Sequence, residues 1–464
     1  MAPEFVRDLE SGIWKRSPSD PTAMTHVYDL AVLGAGAAGL LAATRASECG
    51  ARVVLLEKNR RAGVKILISG GTRCNVTNAR GLRRIETVGG PIDSAFDAAM
   101  CRGARAIQQA FGANGAFLGP SLRRLDVDAT VRLFEEAGVR LKVEANGKIF
   151  PASDRAVDVL EALVGRLERS GAEFRPHSAV VDIEPKSEGF VVRTSGASVA
   201  ARRVILTVGG LSYPGCGTTG DGFELARRLG HSIVETRPAL VPLRVGPGWV
   251  ADLRGITLAD AVASVHDRDG DTLQSRREAV LFAHFGLTGP AILDVSRAVA
   301  RSEEPGRLVL RLDLLPGASQ ADLDRALQAE SRRGRRPIAS ILPDPVPKRL
   351  AECLVSAAGV PGARMGPDLS RDERHRLVNA LKGLSLPIVG TLGFEKAEVT
   401  SGGVALHEVD PKTLESRIVP GLHFAGEVLD LDGLIGGYNF QAAWSTGHLA
   451  GEIAAKAAGS AGNG

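Results

Sequence analysis

Residues 27–58 read VYDLAVLGAGAAGLLAATRASECGARVVLLEK, and the order of residue types here decides the fold. A short apolar run leads into glycines, an Ala/Leu-rich segment of helical period follows, and a second apolar run, Arg52 to Leu56, closes the unit. That is a βαβ unit with a glycine-rich first turn. In Gly34-Ala35-Gly36-Ala37-Ala38-Gly39, Gly34 permits the tight turn, Gly36 lets a pyrophosphate approach the backbone, and Gly39 lets helix and strand pack closely. The helix N-terminus adds free N–H groups and the positive end of its dipole. Glu57, eighteen residues after Gly39, is placed to accept ribose hydroxyls. Ala38 and Lys58 fall in the same set of cofactor-binding residues.

The chain has 464 residues, 44% apolar and 24% charged, the balance of a globular protein with two or three packed units. Its longest apolar stretch, Leu30 to Thr44, is interrupted by glycines and ends at Arg45, which is short for a bilayer span. No membrane association is expected. Five cysteines, none spaced as CxxC, argue against a disulfide framework, a metal site or a dithiol pair, and a cytoplasmic protein fits best. A net charge of +4 does not by itself imply nucleic acid.

Outward from the βαβ unit, residues 1–25 carry no periodicity and read as a disordered extension, with Met24 an alternative start to Met1. Residues 26–238 and 390–464 are assigned to one discontinuous cofactor-binding domain. Within it Arg203 to Val208 is strand-like and meets Gly209. Residues 239–316, which alternate apolar and polar positions up to 283, form a β-rich insert, and 317–389 a helical insert.

The cofactor is named by the other end of the chain. PGLHFAGEVLDLDGLIGGYNFQAAWSTG, residues 420–447, is a second glycine-rich strand-to-helix junction. Two such junctions suit a long dinucleotide spanning the domain, which is FAD. Gly426, Glu427, Gly436, Gly437, Tyr438 and Asn439 belong to this end, where a helix N-terminus would face the flavin and stabilise its anionic reduced form. No second GxGxxG is present, so NAD(P)H would visit as a transient reductant.

The stretches GAGAAGLLAA, KILISGGTRCNVTN, YPGCGTTGDGFELARRLGH, LFAHFGLTGPAIL, SGGVALHEVDPKTLES and GLHFAGEVLDLDGLIGGYNFQAAWSTG resemble the bacterial flavoproteins grouped with aminoacetone oxidase and the bile-acid reductase BaiN. The resemblance implies an α/β fold: an FAD-binding Rossmann-like domain similar to glutathione reductase, with a β-barrel-like insert and a small helical insert. It also implies that the loop at 65–79 runs beside the flavin, so that Gly70, Gly71, Arg73, Cys74 and Asn75 face the cofactor. For Cys74 a packing role competes with a redox role. Asn75 and Asn78 read as residues that satisfy loop backbone groups.

No catalytic residue is fixed by the sequence. Tyr213, His284 and Tyr438 are the candidates, with His284 read as a satisfied structural histidine in competition with a proton donor. Three activities stay open: reduction of an activated C=C bond with NAD(P)H, amine oxidation, and reduction of a uridine in ribosomal RNA. A non-enzymatic FAD-stabilised interaction protein is a fourth reading. For RNA, the densest basic patch is Arg332, Arg333, Arg335 and Arg336, which a solvated helix end explains equally well.

Overall fold

The strand Tyr28–Leu33 pairs in parallel with Val53–Leu56 on one side and Ser198–Leu206 on the other, Leu33 standing opposite both Leu56 and Leu206. Both faces of this strand are covered, so Leu30, Ala31, Val32 and Leu33 are fully buried and the apolar run is continuous rather than alternating. These relations come from a computed structural model, which describes residues 28–460. The expected extension over 1–25, and the choice of Met1 or Met24 as start, lie outside the described residues.

Glu173–Arg175 adds in parallel to the Val53–Leu56 edge, and the hairpin of Val180–Lys186 and Gly189–Thr194 joins Ser198–Leu206 antiparallel. Leu422–Phe424 completes the seven-stranded sheet by pairing in parallel with Val204 to Leu206. The nucleotide-binding sheet is therefore built from both ends of the chain. Over it cross the helix Ala37–Glu48 and the closing helix Tyr438–Ser460. They touch backbone to backbone, since a Cβ on Gly447 or Gly451 would stand 2.3 Å from the carbonyl oxygen of Ala38 or Ala42.

The chain leaves this unit through Ile233–Ala239 and returns through Val399–Val404, which pair with each other antiparallel. Between them, Leu243–Val245, Thr257–His266, Thr272–Ala283, Gly286–Thr288, Val309–Asp313 and Leu384–Thr391 close into a six-stranded barrel. The alternation read in residues 239–283 appears in Thr257–His266, where Leu258, Ala261, Ala263 and Val265 point into the core of this second unit.

Residues 317–389 hold the helices Gln320–Ser331, Lys348–Ala357 and Arg371–Gly383. Ser319 with Asp322, and Ser370 with Glu373, form capping boxes at the first and third. The same segment also contains most of the last barrel strand, where Leu384, Leu386 and Ile388 are buried and Ser385, Pro387 and Val389 are exposed. Among the described residues no helix is long and apolar enough to cross a membrane.

Candidate active site

A cleft of about 430 Å³ runs from the first glycine turn to the second glycine junction. At its first end Gly34 donates its N–H to Leu56 O at 2.8 Å, and the Thr207 hydroxyl lies 2.8 Å from the carbonyl oxygens of Leu33 and Gly34. The two later glycines of the motif do different work. A Cβ on Gly39 would stand 1.8 Å from Gly34 O, so Gly39 serves the packing of helix on strand and does not line the cleft. A Cβ on Gly36 would meet nothing within 4 Å, and Gly36 does line the cleft. Glu57 is anchored from both oxygens, accepting the N–H of Ala35 at 2.7 Å and of Asn59 at 2.8 Å. Lys58 is tied by its ammonium to Asp221 and Thr219, both at 2.6 Å.

The stretch 65–79 is not a loop throughout, as its polar text suggested. The element Val64–Thr72 begins as a helix, which breaks at Ser69 and passes through left-handed Gly70 (φ 55°) and Gly71 (φ 68°). Both glycines line the cleft. Arg73 also lines it, but its guanidinium is already held by Glu144 at 2.6 Å and Asp154 at 3.3 Å and lies 4.0 Å over the Phe150 ring. Its charge is met before any ligand arrives. Cys74 does not face the cofactor side. It is fully buried, absent from the cleft wall, and burial pushes its thiol up to about 12, as suits a packing residue.

The residues that follow stitch this segment to the closing helix. With its amide oriented to suit its neighbours, Asn75 donates to Thr77 O at 2.9 Å and accepts the N–H of Gly437 at 2.9 Å. The Thr77 hydroxyl donates to Gln441 Oε1 at 2.6 Å, Asn78 Nδ2 to Gly436 O at 2.9 Å, and the Trp444 indole N–H to Val76 O at 3.0 Å. Asn439 lines the cleft and also braces the turn before it, accepting the Gly433 N–H at 2.8 Å. The two glycine-rich segments thus form one wall, and the N-terminus of the helix Tyr438–Ser460 opens into it.

Gly209, Gly426, Glu427, Gly436 and Gly437 also line the cleft; Tyr438 does not, being buried beside Arg80. The other catalytic candidates fall outside as well. Tyr213 takes a left-handed turn (φ 55°) with its N–H on Phe394 O, which is the turn-anchoring reading. His284 is exposed at a hairpin end with its ring against Phe285 and does not line the cleft.

Among the polar residues of the cleft wall that were not singled out from the sequence are Lys65, Lys148 and Glu398. Lys65 was in plain view, as the first residue of KILISGG. Lys148 follows an Asn-Gly turn and Glu398 sits in a short linker, GFEKAEVT, and neither carries a motif. Lys65 pairs with Glu427 at 2.8 Å, and Glu427 also accepts the N–H of Thr400 at 2.9 Å. Burial pushes the Glu398 carboxyl above its usual range, against the pull of Lys65 and Lys148. Apolar Leu240, Val399, Leu431 and Ile435 line the same cleft.

This arrangement fits FAD on the structure's own terms. The backbone is bare at Gly36, the Glu57 acid stands where a ribose would lie, and a second glycine-lined helix N-terminus sits at the far end of one continuous cleft. The family described as HI0933-like protein Rossmann domain matches over residues 28–91 and 96–453. The chain belongs to this family. It is an FAD-dependent oxidoreductase of the HI0933-like group.

The chain is 33% identical to the ribosomal RNA dihydrouridine synthase of Escherichia coli, over 90% of this chain and 96% of that one. It is 32% identical to the 3-dehydro-bile acid delta(4,6)-reductase of Clostridium scindens, over 92% and 99%. Among solved structures, the 3-ketosteroid-delta4-(5alpha)-dehydrogenase of Rhodococcus jostii RHA1 shares the fold at a TM-score of 0.50 and 16% identity, covering 94% of this chain and 98% of that one.

Proposed function

We propose that this HI0933-like flavoenzyme saturates a carbon–carbon double bond conjugated to a carbonyl, with NAD(P)H as its electron donor. One observation carries the reading. The two relatives above, alike over nine-tenths of the chain, differ in substrate, yet the names of both describe saturation of such a bond, in a steroid or in a uracil ring. Bound in the cleft, FAD supplies the two-electron hydride chemistry.

The residues of this chain supply the rest. Gly34, Gly36 and Ala38, at the N-terminus of Ala37–Glu48, would take the pyrophosphate, and Glu57 a ribose. Gly70, Gly71, Arg73 and Asn75, with Gly436 and Gly437, would hold the ring end. Leu240, Val399, Leu431 and Ile435 give the substrate end an apolar, water-poor wall, which strengthens the polar groups that remain there.

A uridine of ribosomal RNA is the second reading, favoured by the E. coli relative and by a Haemophilus influenzae relative of the same name, 29% identical. The arginine patch adds little to it. Glu330 takes Arg333 at 2.5 Å and also Arg336, and Asp368 lies 3.8 Å from Arg335. The test is anaerobic mixing of the reduced enzyme with α,β-unsaturated ketones and with a ribosomal RNA transcript, following flavin reoxidation and product mass. A product heavier by two hydrogens assigns the substrate. Failure of both classes, with amines instead reducing the oxidised enzyme, would replace the reductase reading with the oxidase one.

A further inference from the structure

Four carboxylates line the cleft: Glu57, Asp221, Glu398 and Glu427. Three are committed. Glu57 accepts two backbone N–H groups, Asp221 holds Lys58 and Thr219, and Glu427 holds Lys65 and the N–H of Thr400. Glu398 is different, because its backbone N–H is spent on Leu240 O while its carboxyl has no hydrogen-bond partner among the described residues. Glu398 lines the cleft and is half-buried there.

We propose, on the reading of the reaction given above, that Glu398 is the acid that delivers the proton of the double-bond reduction. Saturation adds a hydride to one carbon and a proton to the other. The hydride, with its electron pair, is the contribution of the reduced flavin. The proton leaves Glu398 as its O–H bond breaks and a C–H bond forms at the second carbon, and the carboxylate regains a proton from solvent through the cleft.

A carboxylic acid serves this role only if it stays neutral near pH 7, and the surroundings of Glu398 favour that form. Apolar Leu240, Val399 and Ile435 stand in the wall with it, and burial raises its proton affinity. The charged groups facing it are Lys65 and Lys148, which oppose this, and Lys65 is itself neutralised by Glu427 at 2.8 Å. Tyr213 feels the Glu398 charge and is held neutral by burial. The competing donors fit less well. Tyr213 and Tyr438 do not line the cleft, and the Cys216 thiol, which does, is raised by burial on a turn bonded to Asn59, the neighbour of Lys58.

The test uses the FAD-loaded protein, the E398Q and E398D variants, and 2-cyclohexen-1-one as probe. In infrared difference spectra of the oxidised parent at neutral pH, a protonated-carboxyl band should be present that E398Q lacks. After reduction by dithionite, reoxidation by the enone should slow by about 10²–10⁴-fold in E398Q. The rise in rate on the acidic side should vanish with it, E398D should recover part of the rate, and FAD content should not change. Absence of the band, or an E398Q rate and pH profile equal to those of a reactive parent, overturns the proposal alone. A parent that reduces neither the enone nor a ribosomal RNA transcript overturns the reading of the reaction and the proposal with it.

Discussion

Asp294 Oδ1 accepts the backbone N–H of Ile435 at 2.8 Å, which ties a helix of the barrel unit to the loop that lines the cleft. The same helix, Pro290–Arg301, grips that loop again through Arg297, which pairs with Asp432 at 2.7 Å. Asp294 is fully buried and also meets Arg276 at 2.9 Å. Asp294→Ala should therefore cost ~3 kcal/mol, since it leaves the arginine side of a buried pair uncompensated. FAD should be released more readily from the variant as the loop loosens. Urea denaturation together with cofactor retention on a desalting column checks both.

The glycines of the first turn should separate folding from cofactor binding. Gly36→Val places a side chain in open cleft, so the protein should fold, with an unfolding midpoint near that of the cofactor-free parent, but retain no FAD. Gly39→Ala drives a methyl into Gly34 O, and the variant should be destabilised even without cofactor. Equal FAD occupancy in Gly36→Val and the parent would show that the pyrophosphate does not approach there.

Two buried histidines should make the fold sensitive to mild acid. Burial lowers His423 and His448 to about 4, with Arg203 beside the first and Arg45 beside the second adding to the effect. Between pH ~6.5 and ~4 the unfolded chain then binds protons that the folded one refuses, and stability falls as pH falls. Asp294, raised by burial to about 6, works the other way, because below that pH the folded form takes up a proton that the unfolded form does not. Glu398, Asp430 and Asp432, also raised by burial, act in the same sense as Asp294, while His231, lowered by burial, acts with the other histidines. Denaturation midpoints measured through this range should flatten in His448→Gln.

The arginine patch should contribute little to RNA affinity. Three of its members are near carboxylates, and Arg332 has no carboxylate partner among the described residues. Replacing all four by glutamine should reduce the salt dependence of RNA binding by the equivalent of about one phosphate contact, not four. A slope change near four would show that RNA strips the arginines from Glu330 and Asp368.

Much of this site was legible because backbone geometry writes itself into sequence. Glycines at 34, 36 and 39 between two apolar runs announce the strand, turn and helix, and the pair at 436–437 announces the second junction. Period-two alternation across 239–283 announced a β-rich insert, while its barrel form was implied only by the family resemblance. What stayed hidden depends on partners distant in the chain. Nothing in the text around Arg73 reveals that Glu144 and Asp154 will neutralise it, and nothing around Cys74 says which way its side chain turns. His284 sits among apolar residues in sequence but at a hairpin tip in space. Glu398 matters through what it lacks, a hydrogen-bond partner, and only the assembled cleft shows that.

The central claim is that one cleft, built from both chain ends, holds FAD. The most direct measurement is release of the cofactor from the purified protein by denaturation, followed by its identification and a reconstitution titration of the cofactor-free chain. The account predicts yellow protein, FAD as the released species, and saturation at one FAD per chain. Colourless protein that takes up no FAD on reconstitution would contradict it.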